Sequence, residues 1–261
     1  MSQKKKENVI LLVCAVLFVV ALIAMIGKWY SEKKAQEKYE SMSQISTEMM
    51  IEEDVSDVFS DLGIANPGKV LDWEALWAEN EDIYAWIYIP DTNIDYPVLQ
   101  HATDNSYYLN YNIDGTKGYP GCIYTENFNS KDFSDNNTVI YGHNMRNGSM
   151  FADVHEFKDR EFFDNHRYVY IYTPDKIMIY EIFANYVFTN AHILYSFDCF
   201  SKEGYEQYID MIFDTFVNMG IFREGVTVNE DTPMITMSTC VTGQNEKRLL
   251  LQAVYVGEKE L

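Results

Sequence analysis

Residues 9–27 hold nineteen consecutive positions without a charge, nearly all of them apolar, and no other stretch limits the fold of the chain so tightly. As a helix the run would be about 28 Å long at roughly 1.5 Å per residue, close to the roughly 30 Å hydrocarbon core of a bilayer. It therefore reads as a membrane-spanning anchor. Lys4, Lys5 and Lys6 precede it, and Lys28, Trp29 and Tyr30 follow. The dense lysine cluster favours a cytoplasmic N-terminus, with the aromatic pair at the far interface and the bulk of the chain outside. The rival is a cleaved signal peptide, whose apolar core usually runs about 7 to 15 residues and ends in a small-x-small site. Here the run is longer, and Ala21 and Ala24 lack that spacing. The expected division is a cytoplasmic N-terminus (1–8), an anchor (9–27), an extracellular stalk or linker (28–65) and one extracellular domain (66–261). Within the stalk, residues 31–62 are polar and rich in Glu, Met and Ser, which predicts a helical segment with weak tertiary ties.

Nearly 200 residues remain beyond the stalk, enough for one domain with a sizeable core. The formal net charge is -20, and residues 1–35 carry six Lys against two Glu, so the remainder holds about -24. That excludes nucleic acid as a natural partner, because binding it rests on basic patches that neutralise phosphates. The acidity reads as solubility in a salty exterior. No C-x-x-C, H-E-x-x-H or calcium-loop spacing is present, so neither a metal nor another cofactor is expected.

Mainly β structure is expected. Candidate strands are 83–89, 94–99, 121–125, 138–141, 168–172, 176–188, 226–228, 234–239 and 249–256, β-branched and aromatic-rich runs parted by turn signals such as Pro90-Asp91, Asp114-Gly115 and Pro174-Asp175. That number suggests a barrel or a sandwich. Two helices stand out, 72–79 with Trp73 and Trp77 one turn apart, and 202–218, where Tyr205, Tyr208, Ile209, Ile212, Phe213 and Phe216 follow helical spacing.

Cys240 closes the apolar run 234–239, and Arg248 follows eight residues later at the head of the next. A thiol at a strand end beside a permanent cation is what a sulfur nucleophile needs, since positive charge favours thiolate and a guanidinium can hold an oxyanion or a carbonyl. The missing partner is a base. Of five His (His101, His143, His155, His166, His192), only His143 has a comparable setting, after the run 138–141. Cys240 as a small core residue is the alternative, cysteine being among the most buried residue types. Cys14 lies in the apolar run, leaving Cys122, Cys199 and Cys240, an odd number. One thiol must stay free or pair between chains. A Cys122 to Cys199 pair would leave Cys240 reactive, and nothing in the sequence fixes their separation.

The string N-T-V-I-Y-G-H-N-M-R-N-G-S-M-F (137–151), together with S-T-C ending at Cys240 and followed by Arg248, resembles the His motif and the Thr-Leu-x-Thr-Cys motif of class B sortases. Met237 stands where that family often has Leu, a near-isosteric exchange. The resemblance covers roughly residues 71–256. It implies a closed β-barrel of about eight strands with N-terminal helices and one long helix between late strands, which segment 202–218 would supply. It also implies a membrane-anchored cysteine transpeptidase that recognises a C-terminal sorting pentapeptide of secreted proteins, commonly Asn-Pro-x-Thr, and cuts after Thr. The product is held as a thioacyl enzyme until an amine, usually of a peptidoglycan precursor, resolves it. Cys240 would attack, His143 would move the proton and Arg248 would stabilise the oxyanion or position the peptide. The same resemblance nominates Asn105 and Leu109 (in D-N-S-Y-Y-L), Ser238, Thr239 and Tyr195 as peptide-binding residues. No carboxylate that would orient His143 is evident. A surface cysteine peptidase, in which water resolves the acyl enzyme, and a non-catalytic binding barrel are the remaining alternatives.

Overall fold

Runs of β-branched and aromatic residues form the eight principal strands in the computed structural model, which describes residues 3–43, 47–48 and 58–261. They are β1 (Ile83–Tyr88), β2 (Asp95–Leu99), β3 (Ile123–Thr125), β4 (Asn137–Tyr141), β5 (Tyr168–Tyr172), β6 (Lys176–Thr189), β7 (Met234–Val241) and β8 (Gln244–Glu260). Hydrogen bonding runs β8-β7-β4-β3-β2-β1-β5-β6, and β6 pairs back onto β8, so the sheet closes into an eight-stranded barrel without an open edge. Two pairs, β2 with β3 and β4 with β7, are parallel.

The apolar runs of β7 and β8 are nearly continuous because both of their faces are covered. Ile235, Met237, Leu249, Leu251 and Ala253 point into the barrel core, whereas Met234, Leu250 and Val254 join a second core outside it. That outer core is roofed by α3 (Lys202–Phe216), which buries Tyr205, Tyr208, Ile209, Ile212 and Phe216 along one face and is capped by the Ser201 hydroxyl. The helix lies between β6 and β7 in the chain, where the expected long helix belongs. A shorter helix, α2 (Trp73–Glu79), is capped by Asp72.

The expected strand at 226–228 does not form. Val226 and Val228 are half-buried against the outer core without a ladder partner. The pairing occurs earlier, where Ile221–Phe222 joins β6 at Ala184 and Asn185. Gly220 permits that approach, since a Cβ there would lie 2.6 Å from Asn185 O, and Gly225, at φ +80°, then turns the chain away.

At the other end of the chain, α1 (Gln3–Ser43) is one continuous helix whose apolar side chains over 9–27 are exposed, as on Leu11, Phe18 and Ile23. It is long and apolar enough to cross a membrane by length and composition. Where weak tertiary ties were expected of the stalk, its end is docked instead. Tyr39 and Met42 are buried in the barrel core, Tyr39 Oη donates to Gly121 O at 2.7 Å, and its ring meets Tyr96 edge-on at 5.7 Å. Two apolar residues three apart on a polar helix were enough to make a contact face. The stalk residues 44–46 and 49–57 lie outside the described residues.

Candidate active site

The strand register brings the candidate residues together. In the parallel pair of β4 and β7, Tyr141 is level with Ser238, and Gly142 N donates to Ser238 O at 3.2 Å. Two residues past Tyr141, beyond the paired register, His143 reaches the same cleft as Cys240. Gly142 has to be small, because a Cβ there would lie 2.5 Å from Ile123 Cδ1 and 2.7 Å from the Phe151 ring. In the antiparallel pair of β7 and β8, Cys240 stands directly opposite Arg248, and opposed residues of such a pair project from the same face. A register shift between Cys240 and Val241 ends the regular ladder there.

Cys240 is exposed and its thiol free. The Arg248 Nη1 donates to Asn245 O and Lys247 O, both at 3.0 Å, so carbonyls at the start of β8 steady the guanidinium. His143 Nε2 lies 2.9 Å from Leu109 O, and the Tyr119 ring centroid is 5.0 Å from the imidazole. A carbonyl only accepts, so that bond places the proton on Nε2 and leaves Nδ1 to exchange another. The partner of His143 is thus a backbone carbonyl, in keeping with the absence of a candidate carboxylate in the sequence. No hydrogen bond joins His143 to Cys240.

A cleft of about 200 Å³ opens over these groups, and Cys240, His143, Arg248, Leu109, Ser238 and Thr239 all line it, with Tyr124, Tyr141 and His192. The hydroxyls of Tyr141 and Thr239 are buried and have no protein partner, an unusual pair of open hydrogen-bonding groups in a cleft wall. Burial, reinforced by the Glu126 charge, pushes both Tyr124 and Tyr141 up, so these phenols stay neutral donors. His192 is held by Glu126, with Nε2 2.5 Å from Oε2, and its Nδ1 accepts from Tyr195 N at 3.2 Å.

Two nominated residues do not reach the cleft. Asn105 Oδ1 accepts from Asn127 N at 2.8 Å and ties two loops together. Tyr195 is exposed and packs outside, against His192 and Phe128. Conversely, Asn144 and His155, which sequence reasoning passed over, both contact the Cys240 carbonyl. For Asn144 the only signal was its place next to His143; for His155 there was none. Cys122 and Cys199 are unpaired, Cys122 in the barrel core beside Tyr39 and Cys199 under α3.

Chemically, the site offers a free thiol, an imidazole able to relay a proton, a fixed cation and unpaired donors in one cleft. Residues 87–256 match the family described as the sortase domain. Sortase B of Listeria monocytogenes is 35% identical over 179 residues, which span 68% of this chain and 71% of that protein. Among solved structures, sortase B of Bacillus anthracis is similar with a TM-score of 0.68 at 28% identity, covering 88% of this chain and 99% of the other. Clostridium perfringens sortase B gives 0.61 at 30% identity, over 71% of this chain and all of that one.

Proposed function

The chain belongs to the sortase family, in its class B branch, and is a cysteine transpeptidase; from that premise we propose that Cys240 is its nucleophile, His143 its proton relay and Arg248 its oxyanion-side cation. The observation that carries this reading is the opposition of Cys240 and Arg248 across one strand pair, with His143, two residues past the end of β4, lining the same cleft.

The Cys240 thiolate attacks the carbonyl carbon of Thr in an Asn-Pro-x-Thr signal near the C-terminus of a secreted protein. The negative charge that forms on the carbonyl oxygen is met by the Arg248 guanidinium. As the C–N bond breaks, protonated His143 gives its proton to the leaving amine, and a thioester remains on Cys240. An incoming amine, the cross-bridge of a peptidoglycan precursor, then attacks the thioester, passes a proton to His143 and releases the thiolate. Splitting the amide exchange into two steps lowers the barrier of each. Leu109, Ser238 and Thr239 line the path of the peptide; Asn105 and Tyr195 would contact it only at its ends.

The apolar helix anchors the chain, with Lys4 to Lys6 cytoplasmic and the barrel outside. Secreted substrates and lipid-linked acceptors meet at that membrane face, so tethering raises their effective concentration.

The test incubates the protein with Asn-Pro-x-Thr and Leu-Pro-x-Thr peptide libraries, with and without triglycine, and reads both peptides and enzyme by mass spectrometry. The expected results are an acyl adduct on Cys240 ending at Thr, and a transfer product that requires the amine. Cys240→Ala should stay folded and give neither. Cleavage without amine transfer would favour the peptidase alternative, and unchanged turnover in Cys240→Ala would remove the assignment.

A further inference from the structure

At the register shift that ends β7, the Cys240 carbonyl is held by side chains from two other segments. Asn144 Nδ2 donates to Cys240 O at 3.1 Å, and its amide also reaches Thr242 Oγ1 at 3.1 Å, so it spans both sides of Val241. His155 Nε2 lies 3.0 Å from the same carbonyl. Because that oxygen only accepts, the His155 proton sits on Nε2, and Nδ1 must accept. The Lys158 ammonium, which only donates, fills Nδ1 at 3.0 Å. The 2.9 Å between Asn144 Nδ2 and His155 Nε2 is then the separation of two donors converging on one oxygen. His155 and Lys158 belong to the 3-10 helix Ala152–Lys158, in which residues three apart eclipse. Burial, with the Lys158 charge adding to it, lowers the His155 pKa and favours the neutral ring that this geometry needs.

We propose that Asn144 and His155 clamp the Cys240 carbonyl and thereby set the spacing of the His143 imidazole and the Cys240 thiol, acting as positioning residues in both half-reactions, with Lys158 fixing the His155 tautomer. The inference rests on the reading of Cys240 and His143 given above. His143 and Asn144 are consecutive, so one backbone step links the proton relay to a side chain bonded to the nucleophile's own peptide. No hydrogen bond joins His143 to Cys240 themselves, and the nearest backbone tie between the two segments, Gly142 N to Ser238 O at 3.2 Å, lies ahead of both. The ladder shifts register between Cys240 and Val241, which pairs on with Gln244, so the clamp acts at the one irregular step of this strand pair. A misplacement of about 1 Å at a reacting centre costs on the order of a hundredfold in rate.

The test uses the full chain in detergent micelles, with peptide cleavage and thermal unfolding measured side by side. In Asn144→Ala and His155→Ala, kcat should fall about tenfold to a hundredfold while KM stays within about twofold, the signature of lost transition-state geometry. His155→Gln, whose amide can donate where Nε2–H does, should recover part of the loss; Asn144→Asp, with no donor, should not. Alkylation of Cys240 by iodoacetamide, located by peptide mapping, should slow in Asn144→Ala and slow no further when His143→Ala is added, because both changes break the same pair. Wild-type kcat in both alanine variants, with Cys240→Ala inactive, would overturn the clamp alone. A loss that merely tracks the unfolded fraction, or Gln no better than Ala, would also overturn it. Turnover by Cys240→Ala would overturn the clamp and the site assignment together.

Discussion

Arg248 shows how much a single side chain depends on shape as well as charge. Its Nη1 holds the Asn245 and Lys247 carbonyls at 3.0 Å, so the planar fork is fixed by the hairpin while its other nitrogens remain for the cleft. A lysine ammonium is a compact charge and cannot do both. Arg248→Lys is therefore expected to lose on the order of a hundredfold in kcat/KM, as removal of an oxyanion donor does. Near-normal rates would mean that positive charge alone suffices. His155 carries a second prediction, on stability. Folding lowers its pKa through burial and then the Lys158 charge, so below the ordinary histidine range near 6.5 the unfolded chain binds more protons than the folded one. Stability contributed by the neutral ring is thus complete above that range and declines as pH falls below it. His155→Gln deletes this titration. Urea midpoints at about pH 7.5 and 5.5 should drop further for wild type than for the variant; equal drops would show that the ring does not titrate as argued. Neither expectation could be formed from sequence alone, because the Lys247 carbonyl and the Lys158 ammonium acquire their roles only once the start of β8 and a 3-10 helix are in place.

Among the elements, the most demanding junction is where α3 meets the barrel. Fully buried Gln252 of β8 donates to Tyr208 Oη of α3 and Thr236 Oγ1 of β7, each at 2.9 Å, and accepts from Tyr186 Oη of β6 at 2.9 Å. Thr236 passes the chain on to Asn137 of β4 at 2.8 Å. Four strands and a helix thus share one buried polar network, which is costly when only partly satisfied. Gln252→Leu keeps the volume but takes the acceptor from the Tyr186 hydroxyl and the donor from the Tyr208 and Thr236 hydroxyls. It should cost about 2–4 kcal/mol and lower Tm by about 5–15 °C, checked by calorimetry; an unchanged Tm would mean that the network relaxes without loss. The same elements show what a sequence can reveal. Strands and α3 were legible where periodicity and length agreed; register sets Cys240 opposite Arg248, whereas His143 reaches their cleft from the residues that follow β4. The segment 226–228 misled because two half-buried valines pattern like a strand, while the pairing went to a site admitted by Gly220. Asn105 sits in a turn and Tyr195 in a single-turn helix, Ile193–Ser196, and segments so short carry no periodicity that says which way a side chain turns.

Across the whole molecule, α1 links the apolar segment to the catalytic cleft more directly than a loose tether would. Tyr39 and Met42 are buried in the barrel core, Lys38 pairs with Glu79, and Lys28 lies 5.3 Å from the centroid of the Tyr119 ring. The segment that Tyr39 and Lys28 grip, from Tyr108 to Cys122, carries Leu109, whose carbonyl bonds His143, and Tyr119, which packs on the same imidazole. It is pinned at Gly121, where φ is +69° and a Cβ would lie 2.7 Å from Tyr108 O, and Tyr39 Oη bonds the Gly121 carbonyl. The end of α1 therefore supports one wall of the cleft. A chain beginning at Ser31 keeps that support, whereas one beginning at Val58 loses it and opens a void where Tyr39 and Met42 were. Removal of two buried side chains of this size costs about 3–6 kcal/mol, so the shorter chain should melt roughly 6–20 °C lower for a domain of this length. Its peptide turnover at a temperature where it is still folded should also fall, because the Leu109 carbonyl no longer holds His143 in a fixed orientation. Tyr39→Ala in the chain beginning at Ser31 separates the two contributions, shifting Tm and turnover in the same direction without any change of length. Should the two chains and the point variant share one Tm and one turnover rate, α1 would be a passive tether and the docking of Tyr39 would carry no stability.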